Sequence, residues 1–141
     1  MKKLLRYHID IFVPDWARES ILEFCKILSQ NKLKYSYHAT NKLRGMKKEY
    51  KLAIKNLIKN LDLGDEINLD YIFEFYTNKD NITKKVCYRF PLKELESDVI
   101  LVISSTGKVV TIYLNGNHDK HRSLKIENYE KEINEGTFIT M

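Results

Sequence analysis

Histidine side chains are the first candidates for acid–base chemistry in this sequence, because imidazole titrates near neutral pH. Two of the four histidines, His118 and His121, lie in the polar segment 117–123, directly after the last predicted strand. Loops at the ends of strands often carry catalytic side chains. His38 lies beside a lysine-rich segment, whereas His8 lies within a predicted strand and is more typical of a packed residue.

Three kinds of chemistry are open to these histidines. His118, Asp119 and His121 offer nitrogen and oxygen ligands, but no further Cys or His completes a recognised spacing, which disfavours a metal site. The His-x-Thr/Ser sequences at 38–40 and 121–123 match the paired motifs of two-histidine phosphoesterases, which lie in strands, whereas 38–40 is predicted to be helical. The third is a metal-independent ribonuclease, in which His, Arg, Lys and Tyr side chains transfer protons and stabilise the phosphate.

The alternation of side chains along two predicted strands favours the ribonuclease. Successive residues of a strand point to opposite faces of the sheet, so Lys85 and Arg89 share one face of the predicted strand 83–91. Tyr113 lies in the predicted strand 108–115. An uncovered sheet face could present these side chains together, with the loop that carries the last two histidines at its rim.

Cleavage of RNA through its 2′-hydroxyl requires a base, an acid and cations that stabilise the pentavalent transition state. His121 is the best candidate for the acid or the base. Arg122 and Arg89 are the candidates for holding the phosphate, because a guanidinium stays charged and matches phosphate oxygens in a fork. The further candidates are Tyr113, Lys85 and, as a reserve base from the helical side, His38. No metal or other cofactor is predicted.

Charge is distributed in blocks along this chain, whose net charge is +5. Residues 31–60 contain nine basic residues and one acidic residue, and residues 61–81 are acidic. Such a surface attracts a polyanion to one side, although a lysine-rich solvated surface would have the same composition. The predicted nucleic-acid-binding residues are Lys47, Lys51, Lys55 and Lys59, which recur every four residues, and the nearby Arg44.

The predicted helices come before most of the predicted strands. A strand at 5–13 precedes an amphipathic helix at 15–29, a short helix follows Ser36, and a second amphipathic helix spans 47–62. Four strands follow at 68–77, 83–91, 98–105 and 108–115, and 98–105 is apolar enough for a central strand. This order predicts an α+β fold, with the N-terminal strand and the helices packed on one face of a four- to five-stranded antiparallel sheet.

Length and composition predict one domain over 1–141, with 126–141 as a loosely attached acidic tail. Two isolated cysteines, Cys25 and Cys87, exclude a disulfide framework. No apolar run reaches membrane-spanning length, and charge follows the first leucines too soon for a signal peptide, so we expect a cytoplasmic protein without a membrane partner. The many Lys, Asn and Ile residues have AT-rich codons, which is typical of a low-GC bacterium or its phage.

The order of elements resembles that of RelE-type toxins over about residues 33–124. The resemblance rests on the strand with Tyr88-Arg89, the apolar strand at 99–104 and a closing strand that leads to His121-Arg122. It implies a small microbial ribonuclease fold that cleaves mRNA on the ribosome, with an antitoxin as partner. The family's C-terminal catalytic tyrosine has no clear match, because Tyr129 lies in the acidic tail.

Two functions are therefore expected from the sequence. The first is an RNA-binding, metal-independent endoribonuclease of RelE-like fold. The alternative is a non-catalytic, phage-encoded inhibitor or binding protein that acts on a host protein, a nucleic acid or a nucleotide.

Overall fold

A six-stranded mixed sheet organises the chain, and the computed structural model describes residues 4–30, 32–116 and 129–131 of it. The strands are β1 (Leu5–His8), β2 (Lys34–Tyr35), β3 (Ile72–Thr77), β4 (Thr83–Leu92), β5 (Ser97–Ser104) and β6 (Lys108–Gly116). Their order in the sheet is β1-β3-β4-β5-β6-β2. The described helices are α1 (Ala17–Leu28), α2 (Tyr37–Arg44) and α3 (Lys48–Lys59), with 3₁₀ turns at Glu66–Tyr71 and Lys93–Leu95.

All three helices bury apolar side chains in one core on the same side of the sheet. Helical spacing in α1 brings its buried residues onto one stripe, and α3 buries Ile54 and Ile58. The short helix α2 begins at Ser36, whose hydroxyl accepts a hydrogen bond from the Ala39 amide at 3.0 Å. The predicted α+β fold with helices packed against the sheet is therefore confirmed. The N-terminal strand β1, however, lies in the sheet as an edge strand beside β3, so the prediction that it packs on the sheet face is wrong.

The sheet has six strands, so the predicted number of four to five is wrong. The additional strand β2 has two residues and pairs in parallel with β6, which makes the sheet mixed. The amide of Lys34 donates to the Gly107 carbonyl at 2.9 Å, and the amide of Ser36 donates to the Val109 carbonyl at 3.0 Å. Two residues are too few to produce a periodic pattern, so the sequence does not reveal this strand.

Two predicted strands are shorter than expected. The strand β1 ends at His8, because its carbonyl accepts turn hydrogen bonds from the amides of Ile11 and Phe12. Residues 66–71 form a 3₁₀ helix instead of the start of β3. Asp65 caps that helix, since its carboxylate accepts a hydrogen bond from the Ile67 amide at 3.1 Å.

The strand β5 is buried from both sides, as predicted for 98–105. Its consecutive residues Val99, Ile100 and Leu101 are each 0% exposed, and successive residues point to opposite faces. Leu101 belongs to the core under the helices, whereas Ile100 is buried outside that core. The face opposite the helices is therefore packed around β5 and is not an open surface there.

The amphipathic helix α3 turns its apolar side towards the core, but only some of its apolar side chains are fully buried. Ile54 and Ile58 are buried, whereas Leu57 and Leu61 are half-buried at the edge of the helical layer. Leu57 lines a surface cavity together with Pro91 and the 3₁₀ turn that follows it. Within the described residues, no helix is both long and apolar enough to cross a lipid bilayer.

Candidate functional site

A polar cluster lies on the sheet face opposite the helices, centred on Glu74 of β3. The Glu74 carboxylate accepts hydrogen bonds from Arg6 Nε at 3.0 Å and from Arg6 Nη2 at 3.2 Å. It also accepts hydrogen bonds from the hydroxyls of Tyr76 at 3.0 Å and Tyr129 at 2.8 Å. The Cys87 thiol lies 3.9 Å from the same carboxylate. We call these five residues the Glu74 cluster.

Burial and the Glu74 carboxylate keep the neighbouring acidic groups of the cluster protonated. Burial raises the pKa of Tyr129 to about 12, and its hydrogen bond to Glu74 acts in the same direction. The pKa of Tyr76 is raised by burial first and by the charge of Glu74 second. Both phenols are therefore hydrogen-bond donors to a carboxylate that already accepts four hydrogen bonds. The lone pairs of this carboxylate are therefore occupied by hydrogen bonds within the protein, so its role is structural.

The Glu74 cluster fixes residues 129–131 against the edge of the sheet. The guanidinium carbon of Arg6 lies 4.5 Å from the centre of the Tyr129 ring, and the Glu130 amide donates to the Arg6 carbonyl at 2.8 Å. Tyr129 also packs edge-on against His8 at 5.2 Å between ring centres. Residues 129–131 of the predicted acidic tail therefore make specific contacts with β1 and β3.

The two cysteines should resist alkylation in the folded protein. Burial raises the pKa of both thiols, and the charge of Glu74 raises that of Cys87 further. Only the thiolate reacts rapidly, so a thiol reagent at pH 8 should leave both residues unmodified until denaturant is added. Labelling followed by mass spectrometry measures this. Rapid labelling of Cys87 without denaturant would contradict the packing of the cluster.

Lys85, Arg89 and Tyr113 lie on the same sheet face, as the alternation predicts. Arg89 and Tyr113 both pair with Ile100, so they lie in one row across β4, β5 and β6. Lys85 is four residues from Arg89 along β4, a distance of about 13 Å. Its ammonium lies 4.6 Å from the centre of the Tyr76 ring. The buried Ile100 therefore lies between Arg89 and Tyr113, whereas Lys85 belongs with the Glu74 cluster.

Arg89 is held by an ion pair that the sequence does not predict. Its Nε lies 2.5 Å from a carboxylate oxygen of Asp98, and its Nη2 donates to the Gly116 carbonyl at 3.3 Å. Both side chains of the pair are mostly buried. A phosphate that binds Arg89 must therefore compete with Asp98 for the guanidinium.

The predicted histidine site lies partly outside the described residues. His121 and Arg122 are outside them, as are His118 and Asp119 of the metal alternative. His38 lies in α2, within the helical layer, and is exposed. Since Lys85, Arg89 and Tyr113 project from the opposite sheet face, the structure does not bring His38 to them. Residues 38–40 are helical, as predicted.

The five predicted nucleic-acid-binding residues lie on or next to α3, and together we call them the α3 basic surface. Lys47 precedes α3, and Lys51, Lys55 and Lys59 follow within it at intervals of four residues. Four residues exceed one helical turn by about 40°, so this row wraps about 120° around the helix between its first and last lysine. All of its members are exposed except Lys51, which is half-buried, and Arg44 precedes the row at the end of α2.

Ion pairing differs between members of the α3 basic surface and the other described arginines. In the described parts of the chain, Arg6, Arg18 and Arg89 each pair with a carboxylate, whereas Arg44 and the lysines take part in no ion pair. The acidic residues that follow α3 in the sequence therefore do not neutralise the α3 basic surface by direct contact.

Comparison of this chain with protein-family models, curated proteins and solved structures finds no match. These comparisons neither support nor contradict the resemblance to RelE-type toxins. Among residues 4–30, 32–116 and 129–131, no group of three or more His, Cys, Asp or Glu side chains is arranged to hold a metal ion.

Proposed function

We propose that this chain binds RNA through the α3 basic surface. The observation that carries the proposal is that, over the described residues, neither Arg44 nor the lysines of this surface form an ion pair, although arginines 6, 18 and 89 do. Exposed lysines without carboxylate partners leave a positive potential that attracts phosphate groups. RNA is preferred to DNA because of the resemblance to RelE-type ribonucleases.

The shape of the α3 basic surface supports a flexible single strand as the ligand. The lysines span about 18 Å along the helix axis and wrap about 120° around it. A single strand can bend to follow such a curved row, whereas a duplex presents its phosphates along two fixed backbones. No aromatic side chain of α3 is exposed for stacking on bases, since its one aromatic residue, Tyr50, is half-buried. Sequence-independent binding through phosphates is therefore expected.

Binding of single-stranded RNA should weaken steeply as salt is added. Five phosphate contacts predict a slope of about −3.5 in a plot of log affinity against log salt, or about a 100-fold loss between 50 and 200 mM. Replacing Lys55 with glutamine should reduce the magnitude of the slope by about 0.7. Fluorescence anisotropy with a labelled oligonucleotide measures both values.

Lys79 provides the matched control for this experiment. It is an exposed lysine in the turn between β3 and β4, away from α3. The Lys79→Gln variant removes the same charge from the whole protein, so it should retain the slope of the unmodified chain. Equal losses in the Lys55→Gln and Lys79→Gln variants would contradict a localised site. Failure to bind any RNA at low salt would remove the proposal and favour a protein partner.

A second candidate function is metal-independent cleavage of RNA on the opposite sheet face. It is favoured by the common row of Arg89 and Tyr113. In this reaction a base removes the 2′-hydroxyl proton, the oxygen attacks the phosphorus, and an acid protonates the departing 5′-oxygen. His121 and Arg122, outside the described residues, are the proposed acid or base and phosphate ligand. The ribosome and an antitoxin would then be partners.

Cleavage by this mechanism should continue in EDTA and should stop when the RNA is replaced by DNA, which lacks the 2′-hydroxyl. We expect the His121→Ala and Arg89→Ala variants to lose activity by at least about 100-fold, since each removes a proton-transfer or charge-stabilising group. The Lys79→Gln variant should cleave normally. Gel analysis of a labelled RNA measures these outcomes, and expression without an antitoxin should slow host growth. Intact RNA in every sample would favour the non-catalytic binding protein.

A further inference from the structure

A small cavity lies where α1 and α3 end, beside the strand β2. Its volume is about 230 Å³, and three lysines line it: Lys32, Lys55 and Lys59. Tyr35 and Asp62 also line it, and apolar residues from both helices complete the wall. We call this cavity the Lys32 pocket. Two of its lysines belong to the α3 basic surface, so the pocket lies at the C-terminal end of that surface.

The charge balance of the Lys32 pocket favours an anion. Three lysines against the one carboxylate of Asp62 leave a balance of about +2. The C-termini of two helices meet here, and each adds about −0.5, which reduces the balance to about +1. None of the three lysines forms an ion pair with another described residue, Asp62 included. The pocket therefore keeps a net positive charge after the negative contributions of Asp62 and the two helix C-termini are subtracted.

The size of the pocket and the hydroxyl of Tyr35 indicate which kind of anion could bind there. A volume of about 230 Å³ is below the range of about 300–1,000 Å³ in which drug-sized ligands bind, so the pocket suits an end group rather than a larger ligand. Burial raises the pKa of Tyr35, so its hydroxyl stays protonated and can donate a hydrogen bond to an oxygen. Phosphate monoesters carry nearly two negative charges at pH 7, compared with one for the diester groups within a strand.

We infer that the Lys32 pocket binds the terminal phosphate of an RNA strand whose following nucleotides lie along the α3 basic surface. This inference rests on the proposed function, because the strand itself is held by that surface. Lys55 and Lys59 contact both parts of the ligand, whereas Lys32 contacts the terminal phosphate alone. The protein therefore distinguishes RNA ends that carry a phosphate from ends that carry a hydroxyl.

The test compares RNA oligonucleotides of one sequence that differ only at their ends. The three forms carry a 5′-phosphate, a 3′-phosphate, or hydroxyls at both ends, and anisotropy measures each affinity at low salt. We expect one phosphorylated form to bind at least about tenfold more tightly than the hydroxyl form, since hydrogen bonds to charged groups have this magnitude. The form that binds more tightly identifies the polarity of the strand.

The Lys32→Gln variant isolates the pocket from the rest of the surface. It should bind the hydroxyl form as the unmodified protein does and should lose most of the preference for a phosphorylated end, because Lys55 and Lys59 remain. The Lys47→Gln variant, altered at the other end of the row, should weaken all three equally and keep the preference for a phosphorylated end. The Lys79→Gln variant should change neither affinity nor preference.

Several outcomes would overturn the inference. Equal, salt-dependent binding of all three forms would remove the terminal-phosphate site and leave RNA binding in place. Lack of binding by any form would remove the proposed function together with this inference. In another outcome, the Lys32→Gln variant loses thermal stability and keeps the preference for a phosphorylated end. That result would mean that Lys32 only neutralises the partial negative charge of the two helix C-termini. Adenosine monophosphate that binds as tightly as the oligonucleotide would indicate a free nucleotide as the ligand.

Discussion

Replacing Glu74 with glutamine should lower the free energy of unfolding by about 3 kcal/mol. The substitution preserves the shape of the side chain but removes the charge that Arg6 faces, and the new amide group can no longer accept every hydrogen bond that the cluster donates. Removing one partner of a buried ion pair costs about 3–5 kcal/mol. The lower end applies here because the Arg6 side chain is 36% exposed and water can partly replace the lost charge.

Arg18 and Glu66 form a matched exposed pair for this experiment. Their side chains are 66% and 63% exposed, although the two charged atoms lie only 2.6 Å apart. Exposed ion pairs contribute at most about 1 kcal/mol, so the Glu66→Gln variant should unfold at nearly the unmodified urea midpoint. The Tyr129→Phe variant removes one hydrogen bond from the Glu74 cluster and should cost about 1 kcal/mol. Equal midpoints for the Glu74→Gln and Glu66→Gln variants would show that burial of the cluster does not matter.

The Glu74 cluster and the pair Arg89 and Tyr113 occupy two different regions of the same sheet face. Arg6, Glu74 and Tyr129 lie over β1 and β3 and are fully engaged with one another. Arg89 and Tyr113 lie over β4 and β6, where Asp98 holds the Arg89 guanidinium in an ion pair. If RNA is cleaved on this face, the substrate lies on the β4–β6 side. The cluster then acts as support for residues 129–131.

The helices and the central strand could be predicted because their patterns are local. Apolar residues at helical spacing predict α1 and α3, and a hydroxyl at Ser36 predicts the start of α2. The unbroken apolar stretch in β5 predicts burial from both sides. Each of these features depends on residues within one turn or one strand, so one sequence is sufficient to recognise it.

The Glu74 cluster could not be predicted because it depends on contacts between distant parts of the chain. Arg6 and Glu74 are 68 residues apart, and Tyr129 is 55 residues further along. Simple alternation along β3 is also disturbed by a register shift between Ile72 and Glu74. Placing these residues together requires the order and register of the strands, which local patterns do not contain.

The candidate site, like the fold, could be predicted only where it depends on residues of a single strand or helix. Alternation placed Lys85 and Arg89 on one face, because two residues of one strand have a fixed relation. It could not show that Asp98 pairs with Arg89, since that contact depends on the pairing of β4 with β5. Nor could the charge count identify the Lys32 pocket, which joins the end of α1 to the end of α3. Pairing and packing between elements decide which predicted residues can act together.

Truncating Leu101 to alanine should destabilise the protein far more than truncating Leu57, although both substitutions remove the same atoms. Leu101 is 0% exposed in the central strand, under the helical layer, so its removal leaves a cavity that neighbours on both adjacent strands cannot fill. Leu→Ala substitutions at such sites cost about 2–5 kcal/mol. Leu57 is half-buried beside a surface cavity, so water can enter the space that its side chain leaves.

The comparison therefore measures how closely α3 packs on the sheet. Urea unfolding of both variants should give a loss for Leu101→Ala at least about 2 kcal/mol larger than that for Leu57→Ala. The slope of the free energy of unfolding against urea concentration should not change, because neither substitution alters the surface that unfolding exposes by more than a few per cent. Equal losses would mean that Leu57 is as tightly packed as a central-strand residue. The helix α3 would then have to pack more closely against β4 than the half-buried Leu57 indicates. The orientation of the α3 basic surface relative to the sheet would change as well.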